Sequence, residues 1–392
     1  MSELMPQSGE ENNFGQLDLS RVSTPCFVVD EVAIEYNLRV LAGVKKRSGA
    51  KVLLALKAFS MFSFAPLIND FLDGVCASGK FEAQLGKEKY CILRGTVSTF
   101  SPAYREEDMM QVLACSDHVI FNSAAQKEKF GWMVEDDFRK QIGLRINPEH
   151  SEGTTERYDP CAPCSRLGVP ISQLNADIMQ GVEGIHMHTL CEQGFEPLKR
   201  TWESAKQKLE PYLDSIKWIN FGGGHHITRD NYDREGLIEM IKAIRETYKI
   251  DVYLEPGEAV ALDAGILVGE VIDITHNDMP LAIVDISATC HMPDVIEAPY
   301  RPAMLGEAKD GKVFRFGGPS CLAGDVIGDY KSEQGFEIGD RFAFLDQAHY
   351  SMVKTNTFNG IPLPSIAIWN SHSDELKVVK EFGYEDFLNR LS

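Results

Sequence analysis

The sequence of 392 residues lacks any apolar run long enough to cross a membrane. Apolar stretches such as 52–56 fall far short of the roughly 20 residues that a bilayer-spanning helix requires. Residues 1–16 are acidic and polar, without the basic region and the apolar core that mark a signal peptide. These absences predict a cytoplasmic protein that does not insert into a membrane.

Positive charge is also scarce in this sequence. Lys and Arg together number 39 against 58 Asp and Glu, which gives a net charge of −19. Such a surplus of acid repels nucleic acid and anionic membrane surfaces, and it attracts polycations. We therefore expect no nucleic-acid partner and no membrane partner.

Cysteine gives little sign of a disulfide framework or of a metal site. The nine cysteines are an odd number and are scattered from Cys26 to Cys321. Cys161-Ala-Pro-Cys164 is the single CxxC motif, and no second one completes a zinc site. The sequence therefore predicts reduced thiols, and it favours a plain loop over a metal or redox site at this motif.

The chain is longer than one hydrophobic core normally supports, so two domains are expected. Residues 31–263 alternate short β-rich runs with longer helical patterns, as repeated βα units do. Eight candidate strands lie in this region, at 51–57, 73–78, 96–101, 117–123, 141–147, 181–188, 217–224 and 251–257. Eight such units in about 230 residues match a (β/α)8 TIM barrel in both number and size.

The pattern changes after residue 263, where candidate strands alternate with turns and helical patterns are few. These strands lie at 265–274, 279–287, 312–316, 341–345 and 365–369. The segment 264–392 is therefore predicted to be an all-β domain, which the strand-like run 24–30 is expected to join. Residues 1–16 are expected to be flexible.

The active site of a TIM barrel lies at the carboxyl ends of its strands, so the residues that end each run are the candidates for catalysis. The first predicted strand ends at Lys57, directly after the apolar stretch 52–56. Desolvation at such a place lowers the pKa of a lysine toward the range that Schiff-base chemistry needs. Taken alone, a lysine at a strand end more often simply enters solvent.

Three other predicted strand ends carry residues that could bind a ligand or take part in catalysis. Strand seven ends in glycines 222–224, whose N–H groups could cradle a phosphate beside a helix N-terminus. Strand eight ends at Glu255, where a buried carboxylate needs a cationic partner such as a protonated pyridine nitrogen. Strand six ends in His186-Met-His188, and an imidazole there could be a ligand, a base or a flat stacking surface. His186 by itself is most simply a core histidine, and it is left unassigned.

The four strand ends together supply what pyridoxal 5'-phosphate requires, namely a lysine, a flat ring, a phosphate cradle and a carboxylate. Several longer motifs resemble the alanine racemase-fold decarboxylases, which include ornithine and diaminopimelate decarboxylases. These motifs are Leu56-Lys57-Ala58, Gly222-Gly-Gly224, Glu255-Pro-Gly257, Gly318-Pro-Ser-Cys321, Ala348-His-Tyr350 and Thr357-Phe-Asn-Gly360. The resemblance runs from about Thr24 to the end of the chain.

Other strings resemble one branch of that group, the carboxynorspermidine decarboxylases. They are Ser165-Arg-Leu-Gly168, His188-Thr-Leu-Cys-Glu-Gln193, Glu255-Pro-Gly-Glu-Ala259 and Cys321-Leu-Ala-Gly-Asp325. The resemblance implies decarboxylation of carboxynorspermidine, carboxyspermidine or both in polyamine biosynthesis, with pyridoxal 5'-phosphate as cofactor.

The resemblance also implies roles for individual residues around the cofactor. Lys57 would bind it covalently, His188 would stack on its ring, and Glu255 would contact the pyridine nitrogen. The phosphate would be bound by Gly222, Gly223 and Gly224, with Arg145 and Arg166 as supporting residues.

Two further residues are expected from the neighbouring subunit. Tyr350 would reach the phosphate region, and Cys321 would approach the substrate as a catalytic residue. A homodimer with shared active sites is therefore implied.

One position departs from the ornithine and diaminopimelate decarboxylases, which carry arginine directly after Glu-Pro-Gly. This chain has Glu258 there, an acceptor for cations. Glu258, Asp294 and, as a third candidate, Asp325 are predicted to bind the ammonium groups of a carboxylated polyamine substrate.

Four alternative functions also fit parts of the sequence. Another diamino-acid decarboxylase shares these motifs, while a racemase of this fold needs a second base, usually a tyrosine, where this chain has Cys321. A non-catalytic carrier of pyridoxal phosphate resembles the barrel alone, and the additional domain argues against it. A metal-dependent barrel hydrolase usually places a His-x-His motif at the first strand, which here ends in lysine; its candidate ligands are His186, His188, His225, His226 and His291.

Overall fold

The computed structural model of the protein describes residues 9, 11–153 and 155–392. The chain divides into two compact units, one formed by residues 37–260 and the other by the chain before residue 37 together with 261–392. Residues 1–8 and 10, which belong to the segment expected to be flexible, lie outside the described part. Within the rest of that segment, Phe14–Gln16 forms a short 3-10 helix, and the Phe14 ring lies 5.6 Å from that of Trp369.

The α-helices of the described chain are mostly short outside the barrel. In chain order they are α1 Glu31–Ser48, α2 Ala65–Phe71, α3 Lys80–Leu85, α4 Glu106–Cys115, α5 Ala124–Glu135, α6 Ala176–Met179, α7 Phe195–Leu213, α8 Arg234–Tyr248, α9 Glu258–Ala261, α10 Ala288–His291, α11 Asp294–Glu297 and α12 Tyr384–Leu388.

The strands of the described chain fall into two sheets. In chain order they are β1 Cys26–Asp30, β2 Lys51–Ala55, β3 Gly74–Ala77, β4 Thr96–Phe100, β5 His118–Phe121, β6 Gln141–Asn147, β7 Val169–Pro170, β8 Gly184–His186, β9 Trp218–Asn220, β10 Asp251–Leu254, β11 Gly265–Asn277, β12 Met279–Val284, β13 Lys312–Gly317, β14 Val326–Ser332, β15 Arg341–Phe344, β16 Ser365–Asn370 and β17 Glu375–Lys380.

The unit of residues 37–260 contains a closed barrel. Its eight strands run in the order β5-β4-β3-β2-β10-β9-β8-β6, and β6 pairs back to β5. Every pairing around the barrel is parallel. Parallel strands buried on both faces need continuous apolar runs, and in β2 residues 52–55 are all buried. The predicted (β/α)8 barrel is confirmed.

Aromatic side chains fill the amino-terminal layer of the barrel interior. Trp218, the first residue of β9, stacks on His118 with ring centroids 4.8 Å apart. A Cβ atom at Gly184 or Gly143 would lie 2.0 or 2.7 Å from the Trp218 ring, so neither position tolerates a side chain. This packing closes one end of the barrel interior, and it leaves the carboxyl ends of the strands for chemistry.

The helix α8 shows how the outer layer is held on the barrel. Four apolar residues at helical spacing are buried, namely Leu237, Ile238, Ile241 and Ile244. The Asp233 side chain accepts the Gly236 N–H at 2.9 Å and so caps the first turn. Lys249 ends the helix in the left-handed conformation, with φ of 56°.

The second unit is built on a mainly antiparallel sheet. Its strands follow the order β14-β13-β12-β11-β1-β16-β17, and β15 pairs with β11. The strand β1 pairs antiparallel with β11 and parallel with β16. Four buried aromatic rings, those of Phe316, Tyr330, Phe342 and Phe344, pack edge to face or tilted in its core.

Among the described residues, no helix combines the length and the apolar character that crossing a membrane would require.

Candidate active site

Lys57 lies at the carboxyl end of the first barrel strand. The strand β2 ends at Ala55, and the Leu56 N–H donates to the Cys76 carbonyl at 3.1 Å, which ties the segment to the neighbouring strand. Lys57 is exposed to solvent, yet protein atoms surround its amine closely. Burial among these atoms lowers the pKa of the Lys57 amine, and the solvent access limits how far.

Glu255 directly follows the eighth barrel strand, β10, and is 7% exposed. Both of its carboxylate oxygens accept a hydrogen bond, one from His186 Nε2 at 3.0 Å and one from Asn220 Nδ2 at 2.7 Å. Burial alone would raise the pKa of Glu255, but the contacts with His186 and Asn220 hold it below the ordinary value. Burial lowers the pKa of His186, whereas the neighbouring Glu255 carboxylate acts in the opposite direction.

His188 is held in a fixed orientation at the end of the sixth strand. The Gly223 N–H donates to His188 Nδ1 at 2.9 Å, which leaves the proton of the neutral ring on Nε2. The ring lies nearly parallel to that of His186, at an angle of 11° and a centroid distance of 6.4 Å. Burial, reinforced by Lys57 and Arg145, keeps the pKa of His188 well below its ordinary value. The result is a flat, uncharged imidazole of defined orientation.

Arg145 contacts the segment that carries His188, at the carboxyl ends of the barrel strands. It lies on β6, is 5% exposed, and donates from its guanidinium to the His188 carbonyl at 2.9 Å. The guanidinium carbon lies 4.5 Å from the centroid of the Phe100 ring. Burial lowers the pKa of Arg145 to about 10. Arg166 lies on an exposed loop, and direct contact of either arginine with the cofactor stays a prediction.

Glycines 222–224 are required by the close packing of three strand ends. A Cβ atom at Gly222 would lie 2.6 Å from His188 Nδ1, one at Gly223 2.2 Å from the Glu255 carbonyl oxygen, and one at Gly224 1.9 Å from the Leu190 carbonyl oxygen. Gly222 and Gly224 also have φ values of 66° and 80°, which favour glycine.

The structure differs from the expected phosphate cradle in two respects. The Gly222 N–H donates to Asn220 Oδ1 at 2.8 Å and the Gly223 N–H to His188, so two of the three donors serve the protein. The next helix begins at Arg234, so no helix starts directly beside the triplet. Phosphate binding at this loop therefore stays a prediction.

Glu258 lies just beyond Glu255, at the start of α9, and is 8% exposed. His226 Nε2 lies 3.1 Å from its carboxylate. The backbone N–H of His226 donates to the Gln193 carbonyl at 3.0 Å, and this bond fixes the loop that follows glycines 222–224. The neighbouring His225 hydrogen bonds to the Tyr232 hydroxyl at 2.8 Å.

The remaining predicted site residues lie in the second unit. Cys321 is exposed, and Tyr350 adopts a φ of 45°. Asp294 forms an ion pair with Lys354 at 2.5 Å, a lysine that Glu297 shares. Asp325 is 4% exposed. The other predicted site residues lie together in the barrel unit. They are Lys57, Arg145, His188, Gly222, Gly223, Gly224, Glu255 and Glu258.

Three residues of this site were not predicted from the sequence. His186 and Asn220 bind Glu255, and His226 contacts Glu258. The strand register accounts for the positions of His186 and Asn220. On successive strands, Arg145 lies opposite His186, and His186 lies opposite Asn220. The inward alternation of Trp218 and Asn220 along β9 is the sequence signal that could have identified Asn220.

The alternative metal and redox sites gain no geometric support in the described chain. Among residues 9, 11–153 and 155–392, no group of three or more His, Cys, Asp or Glu side chains is arranged to hold a metal ion. Cys161 and Cys164 are free thiols, and burial raises the pKa of Cys161 to about 12.

The barrel residues fit pyridoxal phosphate. An accessible lysine of lowered pKa suits an aldehyde, and an ionised carboxylate held by two donors suits a protonated pyridine nitrogen. An imidazole whose plane is fixed by a backbone N–H suits stacking.

Comparison with known proteins points to the same chemistry. A family model described as "Pyridoxal-dependent decarboxylase, C-terminal sheet domain" matches residues 26–348. The chain is 39% identical to a carboxynorspermidine/carboxyspermidine decarboxylase of Campylobacter jejuni, over 94% of this chain and 98% of that protein. It is 37% identical to a carboxyaminopropylagmatine decarboxylase of Synechocystis sp., over 95% of this chain and 96% of that protein.

A solved structure is similar over nearly the whole length. The crystal structure of carboxynorspermidine decarboxylase from Campylobacter jejuni, complexed with norspermidine, matches with a TM-score of 0.85 at 36% identity. The match covers 94% of this chain and 100% of that chain.

Proposed function

The chain belongs to the pyridoxal-dependent decarboxylase family, and from that membership we propose that it decarboxylates carboxynorspermidine, carboxyspermidine or both. The observation that carries this proposal is the similarity to the Campylobacter jejuni carboxynorspermidine/carboxyspermidine decarboxylase over nearly the whole chain, and the buried carboxylate of Glu258, directly after Glu255-Pro-Gly257, supports it. A cytoplasmic location remains a prediction of the sequence.

Pyridoxal phosphate, when bound, would supply an aldehyde that takes up the substrate amine and a ring that accepts the electron pair left on Cα when carbon dioxide departs. Lys57 would provide the amine that holds this group, and the lowered pKa of that amine favours its neutral, nucleophilic form. Glu255 remains ionised between His186 and Asn220, so it can accept a pyridine N–H. Cys321, exposed in the second unit, is proposed to return a proton to the substrate Cα.

Substrate choice is proposed to depend on Glu258. A carboxylated triamine carries a secondary ammonium and a distal primary ammonium, each of which needs a charge-assisted acceptor when water is excluded. The buried Glu258 carboxylate, which contacts His226, is proposed as one such acceptor, and Asp294, which pairs with Lys354, as another.

Glu258→Gln is expected to lower kcat/KM for carboxynorspermidine by about 1.5 to 3 kcal/mol, roughly 10- to 150-fold, the value of a hydrogen bond to a charged group. Borohydride trapping of the cofactor should be unchanged, because Glu258 is not proposed to touch it. Asp294→Asn should have a smaller effect, since Lys354 already neutralises Asp294.

Glu239→Gln, the same change at an exposed position on α8, is the matched control. Glu258→Gln enzyme that matches this control in kcat/KM would exclude Glu258 from the substrate site.

A second candidate substrate is carboxyaminopropylagmatine, because the Synechocystis relative of that name is nearly as similar as the Campylobacter one. That compound ends in a guanidinium in place of a primary ammonium, and an acidic acceptor such as Glu258 suits both groups. Parallel assays of the two substrates discriminate between the candidates.

We further propose a homodimer in which Lys57 and Cys321 of one site come from different subunits. Lys57→Ala and Cys321→Ala proteins, each of low activity, should then form mixed dimers with one intact site. Random mixing predicts up to roughly a quarter of wild-type activity, because half of the dimers are mixed and each has one intact site of two. Proven subunit exchange without any recovery would refute the shared site.

A further inference from the structure

A buried carboxylate organises the loop that carries Cys321. The loop 318–325 leaves β13 and returns into β14, and Asp325 closes it. Asp325 Oδ2 accepts hydrogen bonds from the Ser287 hydroxyl at 2.8 Å and the Ser320 hydroxyl at 2.6 Å. Longer bonds of 3.3 Å reach Oδ2 from the Ser320 N–H and Oδ1 from the Thr289 N–H. The carboxylate therefore joins the loop to the start of α10.

The backbone of the loop closes on the same residue. The Gly318 N–H donates to the Asp325 carbonyl, and the Asp325 N–H donates to the Leu322 carbonyl, both at 2.9 Å. A Cβ atom at Gly318 would lie 2.4 Å from Asp325 Oδ2, so the carboxylate fits only against a glycine. A second anchor lies beyond it, because the Cys321 N–H donates to Asn359 Oδ1 at 2.8 Å. The position of Cys321 is therefore set by two contacts of the loop, one with the Asp325 carboxylate and one with the Asn359 side chain.

The burial and bonding of Asp325 favour support of the loop over direct contact with a substrate. Asp325 is 4% exposed, whereas Cys321, four residues earlier, is exposed. A carboxylate removed from water needs the donors that surround it, and those donors in turn lose their partner if it is removed. The prediction that Asp325 binds a substrate ammonium remains untested, and the geometry suggests a different use.

We infer that Asp325 is a positioning residue that sets the place of the Cys321 thiol. The inference rests on the proposed function, in which Cys321 acts on the substrate. Asp325 then affects the turnover step through Cys321, and it leaves substrate binding nearly unchanged.

The test is a double-mutant cycle on the cofactor-loaded enzyme with carboxynorspermidine. Asp325→Ala should lower kcat by about 10-fold or more while KM changes by less than about 3-fold, since the lost contacts affect turnover. In the Cys321→Ala background the same substitution should change kcat by less than about 3-fold, because residues that act as a unit are not additive. The matched control is Asp329→Ala, which removes an exposed carboxylate on β14 that pairs with Arg315 on β13.

A second readout needs no substrate. Hydrogen exchange of the resting holoenzyme should show lost protection in peptides covering 318–325 of Asp325→Ala, with barrel peptides unchanged. If Asp325→Ala does not fold, Asp325→Asn keeps the volume and should give a smaller loss of the same kind.

Several outcomes would overturn the inference. They are an equal loss of kcat in both backgrounds, a rise in KM alone, unchanged exchange in the loop, or full activity of Cys321→Ala. Full activity of Cys321→Ala would contradict the proposed role of Cys321, but it would not contradict the proposed decarboxylation. If the wild type did not act on carboxynorspermidine, the proposed function would fail while the exchange experiment still decided whether Asp325 orders the loop.

Discussion

Lys57→Ala is expected to lower decarboxylation on the order of 10⁴-fold or more, the scale seen when a covalent catalytic group is removed. Lys57 follows the buried end of β2, and its lowered pKa makes it the one proposed covalent partner of the cofactor. The purified wild type should be yellow and should trap cofactor after borohydride reduction. Lys57→Ala should lose this trapping together with the activity.

Lys51→Ala provides the control, because Lys51 is exposed at the opposite end of the same strand. It should keep wild-type colour, trapping and turnover. Cofactor that is still covalently trapped in the Lys57→Ala protein would remove Lys57 from its proposed role.

Glu255→Gln should have the second largest effect. Breaking a buried charged contact removes about 3 to 4 kcal/mol, or roughly 10²- to 10³-fold in kcat. The glutamine carries no negative charge to stabilise a protonated pyridine nitrogen, and its amide must face donors from both His186 and Asn220. Borohydride trapping should persist, because Lys57 is unchanged.

Glu246→Gln, at an exposed position on α8, controls for the same change of charge. Measurement of kcat together with the trapped fraction separates lost turnover from lost cofactor. A kcat for Glu255→Gln within about 3-fold of the control would contradict the proposed contact, since even one ordinary hydrogen bond exceeds that difference.

The barrel could be predicted from the sequence because its strands are short apolar runs at regular spacing. All eight candidate strands correspond to strands of the structure, although 181–188 shortens to Gly184–His186. The two-residue strand β7 was not predicted, and neither were the longer strands β14 and β17. Both alternate buried or half-buried residues with exposed charged ones, and both lie at the ends of the sheet order, where strands often carry charge.

The proposed catalytic groups could be predicted for a related reason. Lys57, His188 and Glu255 each lie one or two residues after the end of a barrel strand, and the carboxyl ends of barrel strands meet at one place. The contacts among them could not be predicted, because they depend on register between strands distant in the chain. His186 thus proved to be a hydrogen-bond partner of Glu255, although the sequence left it unassigned.

The acidic residues of the second unit have partners that could not be predicted from the sequence, and their contact with a substrate stays a prediction. Asp294 and Asp325 were predicted as ammonium acceptors because of their sequence positions. In the structure Asp294 pairs with Lys354, and Asp325 accepts hydrogen bonds from Ser287 and Ser320. Which acidic residues already have partners within the chain depends on tertiary contacts that no local pattern reveals.

Product analysis of the purified, cofactor-loaded enzyme tests the proposed function most directly. Carboxynorspermidine, carboxyspermidine, carboxyaminopropylagmatine, ornithine and diaminopimelate should be offered separately, with released carbon dioxide and amine product measured for each. We expect efficient decarboxylation of carboxynorspermidine or carboxyspermidine, and poor turnover of diaminopimelate, whose distal carboxylate would face Glu258. Turnover of ornithine or diaminopimelate equal to that of the carboxylated triamines would contradict the proposal.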